Sequence, residues 1–335
     1  MSRFESVGLI INPRAGQGFA VSARVARAAL EELQPTLLYT GPAELGASAL
    51  DGMAFPRVTV LPAPDQPGRA QTQALAMQLA QLPLSILVVV GGDGTLADVA
   101  GVLIGQACDI PLLGIGIGST NAGNLITCRA AEIEQLKCDR LCAEPLRALL
   151  AYADNELLGI GFNDCVLGYT VVGTLNNVVQ DLDAAAKMAG SNQPGTPRSI
   201  GTNQTLVQRL SPDGSRTIAS GRKIASVVIG FAEPAFFAKA ITGGVCLAAL
   251  VQAPAGCLTA DVPLVQIGLD RQAVLALPPI VSSYATFDEN QRIRVSGVRK
   301  GTAVCVDGNP MKILQPGDDI EFGVDVDAVR SLRLA

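Results

Sequence analysis

The segment that most constrains the fold is a strand pattern that runs directly into a glycine cluster. Residues 84–90 are apolar except for Ser85 and are rich in valine, which is typical of a strand covered on both faces in a parallel sheet. Residues 91–95 follow at once and read Gly-Gly-Asp-Gly-Thr, and residues 96–104 have a helical composition. A strand, a glycine turn and a helix in this order predict an open α/β sheet.

The remainder of the first third repeats this alternation of short apolar runs and helical patterns. It predicts strands at 6–11, 36–39, 57–61 and 111–117, helices at 20–33 and 71–82, and a further helix beginning near Asn121. We therefore expect a Rossmann-like open α/β domain, binding a nucleotide, over residues 1–138.

The pattern changes after a predicted connecting helix at residues 139–150. Short apolar runs are then separated by Gly, Pro, Asp and Ser, at 157–167, 224–231, 262–267, 273–277, 293–295 and 303–306. They predict a C-terminal antiparallel β domain over residues 139–310. Residues 183–202, rich in Gly, Pro and Ser, are expected to form a mobile surface loop, and residues 311–335 a C-terminal segment that can return to the first domain.

Composition excludes several classes of function. The 335 residues carry a formal charge of -5 without a dense basic run, which disfavours nucleic-acid binding and anionic membranes. Histidine is absent, so Ser-His-Asp, Cys-His and histidine-metal sites are excluded. The eight cysteines form no C-x-x-C pair, which indicates apolar residues of a cytoplasmic protein rather than a zinc site. The uncharged stretch at 240–260 contains Gly, Pro and Gln, so we expect buried strands there and no membrane span.

Three glycine-containing loops follow predicted strands and offer backbone amides to phosphate. They lie at 12–18, 91–95 and 114–124, and glycine permits close approach of an anion to the N–H groups of a loop and of the next helix. Neither the G-x-G-x-x-G fingerprint nor the Walker sequence occurs. The candidate nucleotide-binding residues are Asn12, Gly16, Gly18, Gly91, Gly92, Gly94, Thr95, Gly118, Ser119, Thr120 and Asn121.

Asp93 is the unusual residue of these loops, because a carboxylate repels phosphate unless it has another task. It can accept the proton of an attacking hydroxyl, or it can hold a Mg²⁺ ion that bridges the phosphates. A third interpretation is that Asp93 only caps the following helix. Residue type alone leaves these alternatives open.

Residues 91–95 resemble the signature of the superfamily that unites NAD kinases, diacylglycerol kinases and sphingosine kinases. The pattern Asn12-Pro13-x-x-Gly16-x-Gly18 is similar to the N-terminal motif of its lipid-kinase branch. The layout, with Phe162-Asn163-Asp164 opening the second domain, is most similar to the ATP-NAD kinase group that includes acetoin-catabolism protein X. The resemblance implies an N-terminal α/β domain, a C-terminal β-sandwich, a cleft between them and a homo-oligomer.

The resemblance also implies roles for single residues. It places Asp93 near the acceptor ribose hydroxyl as the catalytic carboxylate, and it assigns Asn163 and Asp164 to the dinucleotide, with a simple Asn-Asp turn as the alternative. The implied reaction uses ATP and Mg²⁺ to phosphorylate NAD to NADP, with polyphosphate as an alternative donor. Asp93 and Asp307 are the candidate metal ligands.

Three departures from the patterns of these kinases leave the identity of the acceptor open. The lipid-kinase Asp-Gly-Glu appears here as Asp307-Gly308-Asn309, and the Gly-Thr-Gly-Asn-Asp loop of those enzymes is replaced by residues 118–124. The Gly-Ser-Thr-Ala-Tyr segment of typical NAD kinases is also missing, since residues 242–244 read Thr-Gly-Gly. A lipid kinase, and a nucleotide-binding regulator that has lost catalysis, therefore remain alternatives to an NAD kinase.

Overall fold

The computed structural model consists of two compact units between which the chain passes twice. Unit 1 comprises Met1–Arg147 and Asp327–Ala335, and unit 2 comprises Ala148–Val326. The residues that the structure describes are 4–16, 18–62, 65, 67–118, 121, 123–175, 178–231, 252–267, 271–276 and 278–334.

Unit 1 is built on a parallel sheet. Its strands are β1 (Ser6–Ile11), β2 (Leu37–Thr40), β3 (Arg57–Val60), β4 (Ile86–Gly91) and β5 (Leu112–Gly116), in the order β3-β2-β1-β4-β5. Val88 of β4 pairs with Leu9 of β1 on one side and with Leu113 of β5 on the other. Every residue of β4 is buried, so the prediction of a strand covered on both faces is confirmed. A short strand, β6 (Cys128–Arg129), extends the sheet beyond β5.

Three helices connect the strands of this sheet. They are α1 (Phe19–Leu33), α2 (Arg69–Ala80) and α3 (Asp93–Gly105). Helix α1 buries a stripe that includes Val25, Ala29 and Leu33, spaced so that they share one face, against the core strands of unit 1. The predicted strands and helices of residues 6–117 therefore all form, with ends that differ by one to a few residues.

Unit 2 is formed mainly by antiparallel strands. The strands from the unit boundary onwards are β7 (Leu141–Ala153), β8 (Glu156–Gly161), β9 (Asp164–Gly168), β10 (Thr170–Leu175), β11 (Val178–Asp183), β12 (Leu206–Ser211), β13 (Gly214–Ser220), β14 (Ser226–Phe231), β15 (Ala255–Ala260), β16 (Ser282–Phe287), β17 (Arg292–Ser296), β18 (Ala303–Val306), β19 (Asn309–Ile313) and β20 (Ile320–Leu334). One sheet has the order β16-β15-β14-β9-β18-β19, β10 and β11 form a separate hairpin, and β13, β12, β17 and β20 pair in that order. Ile229, Phe287 and Phe322 are buried in the core of this unit.

The structure confirms a parallel α/β domain followed by a separate antiparallel domain. Strand β20 belongs to unit 2 up to Val326 and to unit 1 from Asp327 onwards, where Ser331 pairs with Leu112 of β5. The parallel sheet of unit 1 therefore uses residues from both ends of the sequence.

Two predicted helices are wrong. Residues 139–150 lie largely in strand β7, where Leu149 pairs with Gly161 of β8. Pairing outweighs the helix-favouring Leu, Ala and Glu residues there, and Pro145 further disfavours a helix interior. The described residues from Asn121 to Thr127 contain no helix, and the φ of 47° at Asn121 is a left-handed conformation that does not continue into a right-handed helix.

Two predicted strands of the second domain are also wrong. Residues 271–276 form a short helix, α5 (Arg271–Ala276), because a short apolar run followed by Pro278 does not distinguish helix from strand. Residues 262–267 form an irregular loop. The hydroxyl of Ser226, the first residue of β14, holds this loop by donating to Val262 O and accepting the Leu264 N–H. The predicted loop at 183–202 contains a short helix, α4 (Ala184–Met188).

The described part of the chain contains no helix that is long and apolar enough to span a membrane. Of the uncharged stretch at 240–260, residues 240–251 lie outside the described residues, and the described end contains strand β15.

Candidate active site

The site in unit 1 begins with the sharp turn between β4 and α3. Gly92 is the N-cap residue, and α3 begins at Asp93, so Asp93 is not itself the N-cap. The Thr95 side chain is buried over the turn, and a Cβ on Gly91 would lie 2.6 Å from Thr95 Cβ. Glycine is therefore needed at position 91 to let the helix start directly above the strand. Gly94 is exposed, and a Cβ there would meet no atom within 4 Å.

Asn12 joins the loop after β1 to this turn. Its backbone N–H donates to Val90 O at 2.9 Å, and its side-chain amide donates to Thr95 Oγ1 at 2.8 Å. The side-chain oxygen of Asn12, Oδ1, accepts the backbone N–H of Arg14 at 3.0 Å. All polar atoms of the Asn12 side chain are thus directed to protein groups, and the residue acts in this structure as a link between two of the predicted phosphate loops.

The loop after β5 packs against both of the other loops. The Ile117 N–H donates to Gly91 O at 2.9 Å, and a Cβ on Gly118 would lie 3.1 Å from Gly92 Cα. Gly16 has a φ of +57°, and a Cβ there would lie 1.8 Å from Ile117 O. The three glycine loops therefore meet at the carboxyl end of β1, β4 and β5, the edge at which open α/β sheets bind ligands.

The Asp93 carboxylate lies where these loops meet. Its Oδ1 atom accepts the Gly123 N–H at 2.9 Å, which links the first turn of α3 to the loop after β5. Asn121 donates its side-chain amide to Gly118 O at 2.6 Å, while no group of the described residues donates a hydrogen bond to its buried Oδ1 atom. A buried acceptor without a partner is costly in a folded protein unless a ligand or water donates to it.

The last residues of the chain hold the far end of this loop, a contact that the sequence motifs do not reveal. Arg333 donates through Nη1 to Ile126 O at 2.8 Å and through Nη2 to Asn124 O. Thr127 donates its hydroxyl to Leu332 O at 2.7 Å and accepts the Gly114 N–H at 3.2 Å. A single arginine more than 200 positions away carries no local signal, so only the three-dimensional structure shows its role.

The predicted acceptor-binding residues of unit 2 form a turn that is fixed by Asp307. The Asp307 carboxylate accepts three consecutive backbone N–H groups, from Phe162 at 2.7 Å, Asn163 at 2.8 Å and Asp164 at 3.1 Å. Asn163 Oδ1 is buried, and within the part of the chain that the structure describes it has no hydrogen-bond partner. The structure thus brings Asp307 to Asn163 and Asp164, from which it is separated by more than 140 positions in the sequence.

The surroundings of Asp307 strongly shift the pKa of its carboxyl group. Burial raises the pKa of Asp307 to about 7, the Asp164 carboxylate also raises it, and the three N–H donors act in the opposite direction. Lys187 of α4, which sequence reasoning missed, donates Nζ to Gly308 O at 3.1 Å beside the same turn, and burial lowers the pKa of this lysine. Asp307 therefore changes charge near neutral pH while it holds the turn.

Two predicted positions of the loop at 114–124, Ser119 and Thr120, lie outside the described residues, as does the segment 242–244. Among the residues that the structure describes, no group of three or more His, Cys, Asp or Glu side chains could hold a metal ion. A Mg²⁺ ion bound mainly by substrate phosphates needs only one or two carboxylates from the protein. Asp93 would supply one such carboxylate.

Comparison with known proteins shows what the chain is similar to. Residues 6–149, which contain all three glycine loops, match the diacylglycerol kinase catalytic domain family. An uncharacterized protein of Archaeoglobus fulgidus is 27% identical over 319 residues, which cover 95% of this chain and 96% of that protein.

Solved structures show the same fold. A diacylglycerol kinase from Bacillus anthracis str. Sterne superposes with a TM-score of 0.50 at 14% identity, over 99% of this chain and 97% of that one. Yeast NADH kinase complexed with NADH superposes with a TM-score of 0.55 at 14% identity, over 99% of this chain and 84% of that one. Residues 6–149 of the chain are therefore similar to the diacylglycerol kinase catalytic domain family, and the chain as a whole has the fold of these two solved structures.

Proposed function

We propose that this kinase-family protein transfers a phosphoryl group from ATP to the 2′-hydroxyl of NAD and so forms NADP. The observation that carries the proposal is the meeting of three glycine loops in unit 1 around the Asp93 carboxylate. The family match over residues 6–149 supports a phosphotransferase, whereas the alcohol that accepts the phosphoryl group is our inference from the residues of unit 2 and from the acidic charge of the chain.

The donor phosphates would lie against the amides at the start of α3. Gly92 and Gly94 lack side chains there, and the first N–H groups of a helix have no partner within the helix, so they can bind an anion. The dipole of an exposed helix contributes only about 0.3–1 kcal/mol, so most of the binding would come from direct amide contacts. Asn121 Oδ1, an acceptor without a partner, would accept a hydrogen bond from a hydroxyl or amino group of the nucleotide.

Asp93 would act on the attacking hydroxyl. Its carboxylate takes the proton of that hydroxyl as the oxygen bonds to the γ-phosphorus, and the bond to the leaving ADP breaks. The Gly123 N–H holds one oxygen of the carboxylate and so fixes its orientation. A Mg²⁺ ion held by Asp93 and the phosphates would neutralise charge that develops on the transferred group.

The turn at Asn163 and Asp164 would bind the dinucleotide. A carboxylate can accept both hydroxyls of a ribose, and an amide can pair with an adenine edge. Asn163 Oδ1 has no protein partner, so it is open to a donor such as the adenine amino group. We assign Asp307 the task of fixing this turn through three N–H bonds, and its role as a second metal ligand stays a prediction.

An assay with labelled ATP, Mg²⁺ and a panel of acceptors tests the proposal. We expect labelled NADP from NAD, and no labelled lipid from diacylglycerol in detergent-lipid micelles. Labelled phosphatidic acid without NADP would assign the protein to the lipid kinases, which the family match at residues 6–149 makes the second candidate. Nucleotide binding without any labelled product would support the catalytically inactive regulator.

The variant Asp93→Asn tests the proposed base. Asparagine keeps an oxygen that can accept the Gly123 N–H, so the loops should stay in place while the base is lost. We expect turnover to fall by about a hundredfold or more, as for other positioned bases, with ATP affinity changed by less than about threefold. Asp109→Asn, an exposed change in the same unit, serves as the matched control. Wild-type turnover in the Asp93 variant would refute the assignment.

We further propose a cytoplasmic homo-oligomer, as the resemblance to NAD kinases implies. Gel filtration with light scattering measures the mass of the particle, and a mass equal to the 34.6 kDa chain would contradict this part of the proposal.

A further inference from the structure

A cavity of about 710 Å³ in unit 2 has no part in the function proposed above. It is lined by residues 202–204, by residues 297–300, by the turn at 316–317 and by Arg222. Cavities of about 300–1,000 Å³ are typical of sites for small molecules. None of the lining residues belongs to the glycine loops or to the turn at Asn163.

The wall of the cavity is held by hydrogen bonds between its loops. Thr202 and Thr205 both donate their hydroxyls to Gly297 O, at 2.7 Å and 2.8 Å. Gly297 has a φ of +62°, and a Cβ there would lie 2.4 Å from Gln204 O. The two loops therefore approach each other so closely that only glycine fits, and the shape of the cavity is set in the absence of a ligand.

Arg299 is held in place by its backbone and one side of its guanidinium group. Its N–H donates to Ile200 O at 2.9 Å, and its Nε donates to Gly201 O at 2.8 Å. Within the described part of the chain, no hydrogen bond engages its two Nη groups, which carry the remaining donors. An arginine fixed in this way can bind an anion with two parallel hydrogen bonds at little cost in side-chain entropy.

The charge of the lining is entirely positive. Arg222, Arg299 and Lys300 line the cavity, and no aspartate or glutamate does. The salt bridges seen among the described residues leave these three without an acidic partner, although other basic residues of unit 2 have one, such as Arg294 with Glu321 at 2.6 Å. Three like charges around one concave space raise the local concentration of anions.

We propose that this cavity binds a small organic phosphate that carries at least two negative charges. Three cations match two or more charges, and the fork of Arg299 matches the spacing of phosphate oxygens. Asn203 and Gln204 at the wall offer side-chain amides for the organic part of the ligand. A concave space of this size fits a metabolite better than an extended polymer.

Chemical footprinting of Lys300 with pyrophosphate as the probe tests the proposal at the cavity itself. The full chain is acetylated at lysines under constant ionic strength, with and without pyrophosphate, and each lysine is followed by mass spectrometry. At about ten times the Kd, the acetylation rate of Lys300 should fall about tenfold. Lys223, which is exposed but does not line the cavity, should change by less than about twofold. Binding of pyrophosphate elsewhere would leave Lys300 unprotected, so this readout does not depend on the kinase site.

A pair of matched variants makes the test specific. Arg222→Gln removes one exposed cation from the cavity, and we expect about tenfold weaker protection of Lys300. Arg216→Gln removes an exposed cation of the same unit outside the cavity and should leave protection unchanged. Equal protection in both variants, or none in the wild type, would overturn the proposal.

Two further probes separate phosphate from other anions. Malonate, a dicarboxylate, should protect Lys300 at least about tenfold less well than pyrophosphate. Equal protection by malonate would overturn the phosphate assignment. A short single-stranded RNA that protects Lys223 as strongly as Lys300 would instead show a surface for an extended polyanion.

Discussion

At the scale of single residues, side chains that look alike in the sequence have different environments. Asp93 has its carboxylate at the meeting point of three loops, where one oxygen accepts the Gly123 N–H. Asp307 uses its carboxylate to collect three N–H groups of one turn. Both residues are followed by glycine, yet the first links two of the glycine loops, where we propose that it acts on a substrate, and the second shapes the backbone of a turn.

The raised pKa of Asp307 predicts a pH-dependent stability. Its pKa rises from 3.8 to about 7, mainly because burial disfavours the charged form. Between these values the folded chain keeps a proton that the unfolded chain releases, so this group favours folding most at low pH, and stability falls as pH rises towards 7. The slope is at most about 1.4 kcal/mol per pH unit.

The variant Asp307→Asn measures this contribution. Asparagine stays neutral, so the stability difference between wild type and variant should shift against the wild type as pH rises from about 4 to about 7. Urea unfolding at several pH values gives the slope for each protein. Asp109→Asn, an exposed substitution, corrects for the change in net charge. Parallel pH profiles for wild type and Asp307→Asn would show that Asp307 does not keep its proton.

At the scale of elements, the sequence specifies local patterns well and distant contacts poorly. The order of strand, glycine turn and helix around Asp93 is predictable because the apolar period and the glycines lie within about twenty residues. Strand β7 was predicted as a helix because its partner β8 decides its conformation, and pairing is absent from a local pattern. The hydrogen bonds of Arg333 to the loop after β5 are unpredictable for the same reason.

Helix α3 allows a test that separates function from stability. Gly94 has a negative φ and is exposed, and a Cβ there meets no atom within 4 Å, so the fold itself does not require glycine. Gly94→Ala should leave stability unchanged or raise it by up to about 1 kcal/mol. It should lower kcat/KM about tenfold or more, because the methyl group would occupy the space of a phosphate at the helix N-terminus.

Gly101→Ala is the matched control in the same helix. Its Cβ also meets no atom within 4 Å, but it lies two turns further along and away from the glycine loops. We expect the same small gain in stability and unchanged kinetics, measured by thermal unfolding and steady-state assays. Normal kinetics in Gly94→Ala would mean that phosphate does not approach α3 at this residue.

At the scale of the whole molecule, unit 1 is assembled from two distant parts of the sequence. Residues 327–334 lie after all of unit 2 and still join the parallel sheet, where Ser331 pairs with Leu112 and Leu332 is buried in the core of unit 1. The glycine loop after β5 is fixed by Arg333 and by the carbonyl of Leu332. The candidate active site of unit 1 is therefore complete only when the end of the described chain has folded.

This dependence predicts that a small change near the end of the chain weakens the site in unit 1. Leu332→Ala should cost about 2–5 kcal/mol of stability, as for other buried leucines, and should also lower ATP affinity. Arg330→Ala, in the same strand but exposed, should change stability by less than about 0.5 kcal/mol. Denaturant unfolding and ATP titration of both variants make the comparison. The ATP affinity is measured under conditions in which Leu332→Ala remains folded. A loss of stability together with wild-type ATP affinity would mean that the last strand supports the sheet without shaping the nucleotide loops.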